Sequence, residues 1–302
     1  MISNGSLFDA EKTEFGERFD RQSFEFRHRL AGHPLFDPER LLLLAQAMSQ
    51  DPKDIYYDAG TVGIGQRWDD VPLCDVPVDV LLHRIETANA VIILRKADKL
   101  PEYAALLDAC IAEIQELAGR DLRKLMKIRN AIVFINSPNR VTSYHIDREC
   151  SVLLQLRGQK SVHVWDREDR EVLTHEELER FWTVDNNSAT YKPALEGRAT
   201  VYELRPGEAI HIPVNAPHWV QNGSEVSVSL NINFHYHDAI LADVYRANYW
   251  LRRFGLDPMP PGRSPALDSV KRTVYGSARA LHHASRRLVR RPSQPAHLDA
   301  SP

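Results

Sequence analysis

At 302 residues the chain is long enough to bury a full core, and 43% hydrophobic with 26% charged residues excludes the disordered and fibrous classes. A formal net charge of −3 speaks against nucleic acid as a partner for the body of the protein, so any such contact needs a local basic patch. The cysteines, Cys74, Cys110 and Cys150, form neither a C-x-x-C nor a zinc pattern, which points to packed thiols in a reducing, cytoplasmic compartment.

In chain order, residues 1 to about 57 are rich in Glu, Arg and Phe and read as a helical lead-in, with Asp37-Pro38-Glu39-Arg40 opening a helix that runs through Leu44 and Met48. No basic stretch followed by a long apolar run occurs near the N-terminus, and the apolar block from Leu41 to Ala45 is far too short for a bilayer. We therefore expect neither export nor a membrane span. Residues 90–95 read as a buried strand. Pro101 then starts a helix whose Leu106, Leu107, Cys110, Ile114 and Leu117 recur at helical spacing.

From Lys127 the texture changes to short β segments at 131–136, 143–147, 151–156, 161–165, 200–204, 209–212 and 226–234. Many short strands with tight turns predict a mainly β domain with flanking helices, either a sandwich or a barrel. Thr174 and Glu177 form a capping box, which predicts an inserted helix through Leu178 and Trp182, outside the barrel. After Phe234 the pattern is helical through Ile240, Val244, Asn248, Leu251 and Phe254, up to a break at Pro258 to Pro261. Leu267, Val274, Leu281 and Leu288 then recur at intervals of seven, with Val270 and Ala284 partly filling a second seam. Lys271, Arg272, Arg279, Arg286, Arg287, Arg290 and Arg291 make this stretch basic, and Gly276 weakens it by about 1 kcal/mol relative to Ala. It reads as a helix packed on its own domain with a solvated basic face, and the residues after Pro292 as disordered. The expected organisation is a helical and α/β segment over 1–126, a barrel over 127–237, a helix over 238–262 and a basic helix with a tail over 263–302.

The chemistry concentrates in two places. His145 and Asp147 stand two apart on an expected strand, so both side chains point to one face while Ile146 points to the other. His218 follows 73 positions after His145. Two imidazoles and one carboxylate occupy one face of an octahedral ion and leave the opposite positions open, the arrangement associated with non-haem Fe(II) oxygenases. His211 and Glu149 are rival ligands. Tyr144 and Trp219 flank the ligands and read as packing residues or as borders of a substrate pocket. His163, His235 and His237 have no ligand spacing.

Around His218 the spacing Gly207, Pro213, Asn215, His218, Asn222 is similar to the second cupin motif, with Asn215 replacing the usual glycine but still tolerant of the left-handed conformation. Together with His145, Asp147 and Gly158-Gln159-Lys160, the stretch from about 128 to 237 resembles the JmjC-type, cupin-like branch of the Fe(II)/2-oxoglutarate dioxygenases. The resemblance implies a double-stranded β-helix, or jelly roll, with Fe(II) held by His145, Asp147 and His218 and with 2-oxoglutarate as cosubstrate. Lys160, fifteen residues after His145, would neutralise the distal carboxylate, which is strongly disfavoured when buried alone. Thr142, three residues before His145, would help to hold it. Asn233, fifteen after His218, would act near the keto acid end, and Asn231 shares its strand face. Ser151 stands where relatives often have asparagine.

The implied reaction converts 2-oxoglutarate to succinate and hydroxylates a C–H bond, on a protein or peptide side chain as in the asparaginyl hydroxylases. A homodimer formed through the helix after Phe234 is implied as well. Alternatives are a small-molecule hydroxylase, or a cupin-type regulatory binding module whose basic tail contacts nucleic acid.

Overall fold

Proline and glycine place the first helices. Pro38 and Pro101 sit in first turns, where a missing N–H costs nothing, and Gly119 closes the second of these helices with φ 62°. The computed structural model describes residues 5–71, 74–236 and 240–289. Its first part runs β1 (Phe8–Asp9), α1 (Lys12–Arg18), β2 (Phe24–His28), α2 (Pro38–Met48), β3 (Ile55–Ala59), α3 (Val78–His83), β4 (Ala90–Leu94), α4 (Pro101–Ala118) and α5 (Leu122–Leu125). It continues with β5 (Met126–Asn136), β6 (Val141–His145), β7 (Cys150–Arg157), β8 (Lys160–Val164), α6 (His175–Thr183) and β9 (Thr200–Leu204). β10 (Glu208–Ile212), β11 (His218–Asn222), β12 (Ser227–Tyr236), α7 (Ile240–Arg253) and α8 (Pro265–Val289) complete it.

The strands form an eight-stranded sheet, ordered β1-β2-β10-β7-β12-β5-β4-β3, and a four-stranded sheet, ordered β6-β11-β8-β9, with every pairing antiparallel. This is a jelly roll with flanking helices. Period-two alternation divides the large sheet into two faces. Val133 and Ile135 of β5, Val152 and Leu154 of β7, and Leu230 and Ile232 of β12 are buried in one core with the aromatic and aliphatic residues of α1, α2 and α4. Leu153, Ile210 and Ile212 on the other face join Val162, Val164, Leu204 and Val220 of the small sheet in a second core. The second core closes the barrel and leaves the polar inward positions of β12 and β7 facing a cavity.

Residues 1–57 are not helical throughout. β1 and β2 extend the large sheet beside β10, and β3 extends it beside β4. Phe24, Phe26 and His28 are buried while Glu25 and Arg27 are exposed, a period-two signal that the overall charge of the segment obscures. The inserted helix is present, with the Thr174 N–H donating to Glu177 Oε2 at 2.8 Å and the Glu177 N–H to Thr174 Oγ1 at 3.2 Å.

The chain divides into two compact units, Met1–Phe181 with Asp185–His237, and Trp182–Val184 with Asp238–Pro302. The expected segment 1–126 and the barrel thus belong to one unit. In the second unit α7 and α8 pack together, and Asp243 pairs with Arg246 at 2.8 Å and Arg279 at 3.4 Å. The expected burial of the α8 stripe does not hold at Leu267, Val270 and Val274, which are exposed. The side chains of Leu281, Ala284 and Leu288, and all of 290–302, lie outside the described residues, as does His237. Among the described residues no helix is long and apolar enough to cross a membrane.

Candidate functional site

His145 is the last residue of β6 and pairs in register with His218, the first residue of β11. Strand β6 ends there, so Asp147 lies just beyond it rather than on it, and the Asn215 N–H holds that loop by donating to the Asp147 carbonyl at 3.0 Å. Asn215 itself adopts φ 62°, the left-handed turn expected of it. Asp147 Oδ2 lies 3.8 Å from His145 Nε2 and 3.7 Å from His218 Nε2, and all three ligand atoms fall within 4.8 Å of one another. The Nδ1 atoms face the carbonyls of Ser143, at 2.7 Å, and Ala216, at 3.0 Å. A carbonyl only accepts, so each Nδ1 carries the proton and each Nε2 presents its lone pair toward Asp147. Burial, with His145 next to it, depresses His218 to about 3 and keeps its imidazole neutral. This donor set fits a divalent transition metal with open positions.

The three residues line a cavity of about 410 Å³ between the sheets, with Ile132, Phe134, Leu153 and Val220 as its apolar walls. Thr142, Ser151, Lys160, Asn231 and Asn233 line it too. Lys160 is 4% exposed, its ammonium has no hydrogen bond or ion pair among the described residues, and burial alone depresses it to about 7. Gly158 places it: with φ 69°, a Cβ there would lie 2.5 Å from the Val226 carbonyl oxygen, so only glycine makes the turn into β8. Asn231 Nδ2 donates to Asn233 Oδ1 at 2.7 Å, while Asn231 Oδ1 is buried without a partner among the described residues.

The two rivals fall away for different reasons. His211 points away from the cavity, stacks on Phe19 at 4.5 Å and accepts from the Asp20 N–H at 2.8 Å, so it is a core histidine. Glu149 lines the cavity but lies 3.4 Å from His235 and outside the metal-ligand group. Phe181 of the inserted helix, expected outside the barrel, also reaches the cavity.

Sequence reading missed the cavity wall built by β3. Asp58 is 4% exposed, accepts from Tyr56 Oη at 2.9 Å and pairs with the buried Arg140, whose Nη1 also donates to the Asn89 carbonyl at 3.4 Å. A carboxylate inside the apolar-flanked run Ile55–Ala59 was the available signal. Trp68, half exposed, lines the same cavity.

No curated protein matches the chain. Among solved structures, Escherichia coli ribosomal oxygenase YcfD is similar at 17% identity, TM-score 0.49, over 95% of this chain and 68% of that one. The same protein in complex with cobalt and 2-oxoglutarate is similar at 15% identity, TM-score 0.48, over 95% and 68%. The profile of the cupin-like domain matches residues 81–240, more than half of the chain and the stretch that holds His145, Asp147, Lys160 and His218. The chain belongs to the cupin-like domain family.

Proposed function

We propose that this protein is an Fe(II)- and 2-oxoglutarate-dependent oxygenase that hydroxylates a C–H bond of a protein or peptide side chain. One observation carries the reading: a single cavity holds the converging His145, Asp147 and His218 and, buried in its wall, a lysine without an anionic partner. His145, Asp147 and His218 would hold the iron, which with the 2-oxo acid supplies dioxygen activation and C–H cleavage. Lys160, assisted by Thr142, would bind the distal carboxylate of the cosubstrate, and Asn233, tied to Asn231, would act at its keto acid end. Phe134, Leu153 and Val220 exclude water around it. The half-exposed Trp68 gives the substrate an apolar surface on the same cavity.

The test is anaerobic titration of the protein with Fe(II) and 2-oxoglutarate, followed by O2. Succinate release is expected, stimulated by peptides or lysate protein that gain about 16 Da on one residue, if substrate coupling gates oxidation. Stimulation by a low-molecular-weight fraction alone moves the substrate to a small molecule. Absence of succinate removes the oxygenase assignment.

Homodimerisation through the second unit belongs to the same proposal, supported by the exposed Trp250, Phe254, Met259, Leu267, Val270 and Val274. A cytoplasmic location is supported by the free state of Cys74, Cys110 and Cys150.

A further inference from the structure

Behind the two histidines, on the outer face of the small sheet, stands a set of side chains that the proposed reaction does not use. Tyr144 precedes His145 on β6 and Trp219 follows His218 on β11, and strand alternation turns both away from the cavity, which neither lines. Tyr144 meets Trp165 with ring centroids 5.4 Å apart and Tyr191 at 5.7 Å, and Trp165 and Tyr191 are 6.4 Å apart. Tyr191 Oη donates to Glu196 Oε2 at 2.8 Å. Glu196 Oε1 lies 2.7 Å from His163 Nδ1, and His163 stacks on Trp219 at 4.0 Å. A continuous path therefore leads from the chain neighbour of one metal ligand, through three aromatic rings and a carboxylate, to the chain neighbour of the other.

We propose that this shell is an electron relay that returns a reducing equivalent to the metal centre when O2 and a 2-oxo acid have oxidised it with no substrate C–H bond in place. The inference rests on the oxygenase reading above. Proton acceptors decide where the electron vacancy comes to rest. Tyr144 Oη is buried without a hydrogen-bond partner among the described residues, and Trp165 Nε1 donates at 2.9 Å to the Leu195 backbone carbonyl, which is no base for its proton. Tyr191 alone of the three rings has a carboxylate to receive a proton. Burial, then the hydrogen bond to Glu196, pushes its phenol up to about 12, so it is protonated at neutral pH and loses an electron only together with that proton.

The step balances. One electron passes from Tyr191 by way of Trp165 or Tyr144 to the metal centre, and the phenolic proton passes to Glu196. The products are a neutral tyrosyl radical, a protonated Glu196 and a metal centre one electron less oxidised. A one-electron reductant of the ascorbate class then returns an electron to Tyr191, Glu196 gives the proton back, and the reductant releases its own proton to solvent. Glu196, a third exposed, and the half-buried Tyr191 stand within reach of such a reductant, whereas Tyr144 and Trp165 are buried.

The test uses the full chain loaded anaerobically with Fe(II) and 2-oxoglutarate, mixed with O2 without substrate or reductant, frozen, and read by electron paramagnetic resonance with succinate measured in the same sample. A tyrosyl signal is expected in the wild type and its loss in Tyr191→Phe, which keeps the ring and removes only the O–H. Per succinate formed, Tyr191→Phe should gain several-fold more oxidised mass at Tyr144 and Trp165, at unchanged melting temperature and metal affinity. Glu196→Gln, which keeps the phenol and removes its base, should delay the signal. Added ascorbate should quench the signal in the wild type. Succinate with no tyrosyl signal, or with a signal and an oxidation pattern unaltered in Tyr191→Phe, overturns the relay and leaves the oxygenase reading standing. No succinate overturns both.

Discussion

His145 and His218 are held by the same local device: each turns Nδ1 to the carbonyl two residues earlier, Ser143 at 2.7 Å and Ala216 at 3.0 Å, so that the rings stand 4.2 Å apart across β6 and β11. The backbone itself sets both tautomers. Neither ring needs a second side chain to aim Nε2, and the pair is ready for a metal before one arrives.

The first prediction concerns the ligand set. His145→Ala, Asp147→Ala and His218→Ala should each lower Co(II) or Fe(II) affinity by at least roughly a hundredfold, more than is usual for supporting residues. Metal at about a hundred times its Kd should raise wild-type stability by roughly 2.7 kcal/mol and leave the variants unmoved. Metal-dependent thermal melts check this. A variant that keeps its metal shift is not a ligand position.

Lys160→Met should act in opposite directions on binding and on stability. Burial brings the lysine from 10.5 to about 7, and at roughly 1.4 kcal/mol per unit its removal should stabilise the free protein at neutral pH by up to about 5 kcal/mol. Loss of the buried cation should weaken 2-oxoglutarate by about 3–5 kcal/mol, roughly two to three and a half orders of magnitude, with metal affinity unchanged. Denaturation midpoints and isothermal titration measure the two effects. A destabilised variant with normal 2-oxoglutarate affinity places the anchor elsewhere.

The same lysine gives a pH dependence. Its folded value is depressed, so between about 7 and 10.5 the unfolded chain binds a proton that the folded one does not, and its burial penalty shrinks as pH rises through that window. Binding runs the other way. A carboxylate needs the charged lysine, so above pH 7 the protein must take up a proton with 2-oxoglutarate, and affinity should fall by roughly tenfold per pH unit. Titrations at pH 6.5, 7.5 and 8.5 in buffers of different ionisation enthalpy should show this uptake. In Lys160→Met both the slope and the uptake should vanish.

What was legible in the sequence was whatever rests on a local constraint. Pro38, Pro101 and Gly119 mark their helix ends, and Thr174 with Glu177 marks α6, because caps and fixed φ values act within a turn. The glycine of the Lys160 turn and the left-handed Asn215 are of the same kind. Asp58 and Arg140 were not legible, since their pairing depends on β3 and β4 being added to the far edge of the large sheet, 82 residues apart in the chain. Nor was the fate of His211: its spacing near the ligand turn is compatible with either face, and the Asp20 N–H that claims it comes from a loop 191 residues away.

The exposed apolar residues of α8 and of the connection that precedes it lead to a prediction about assembly. Phe254 is 80% exposed, and Met259, Val270 and Val274 are about half exposed. Exposed apolar residues that form a contiguous patch mark contact sites. Phe254→Glu with Val274→Glu should convert a homodimer to a monomer in light scattering at micromolar concentration, with melting of the first unit unchanged. A wild type that is already monomeric under those conditions removes the dimer.

Asp58 and Arg140 form a buried pair inside the cavity wall, and both ions have given up water. Burial raises the Asp58 carboxyl while Arg140 opposes that shift, and Tyr56 adds a hydrogen bond to the carboxylate. Removing one partner leaves the other charge uncompensated, so Asp58→Asn should destabilise the protein by about 3–5 kcal/mol. Arg140 also fixes the turn into β6, since its carbonyl accepts from Asn222 N at 2.9 Å and from Asn222 Nδ2 at 2.7 Å. Thr142 and His145 follow on that strand, and disturbance there should reach the cosubstrate before it reaches the metal. In Asp58→Asn the affinity for 2-oxoglutarate should therefore fall more than the affinity for Co(II), and Tyr56→Phe, which deletes one donor to the carboxylate and leaves the ion pair in place, should cost about 1.5–3 kcal/mol of stability. Urea denaturation gives the stabilities and calorimetry the affinities. Equal losses of metal and cosubstrate affinity in Asp58→Asn would show that the pair supports the barrel as a whole and not the cosubstrate wall in particular.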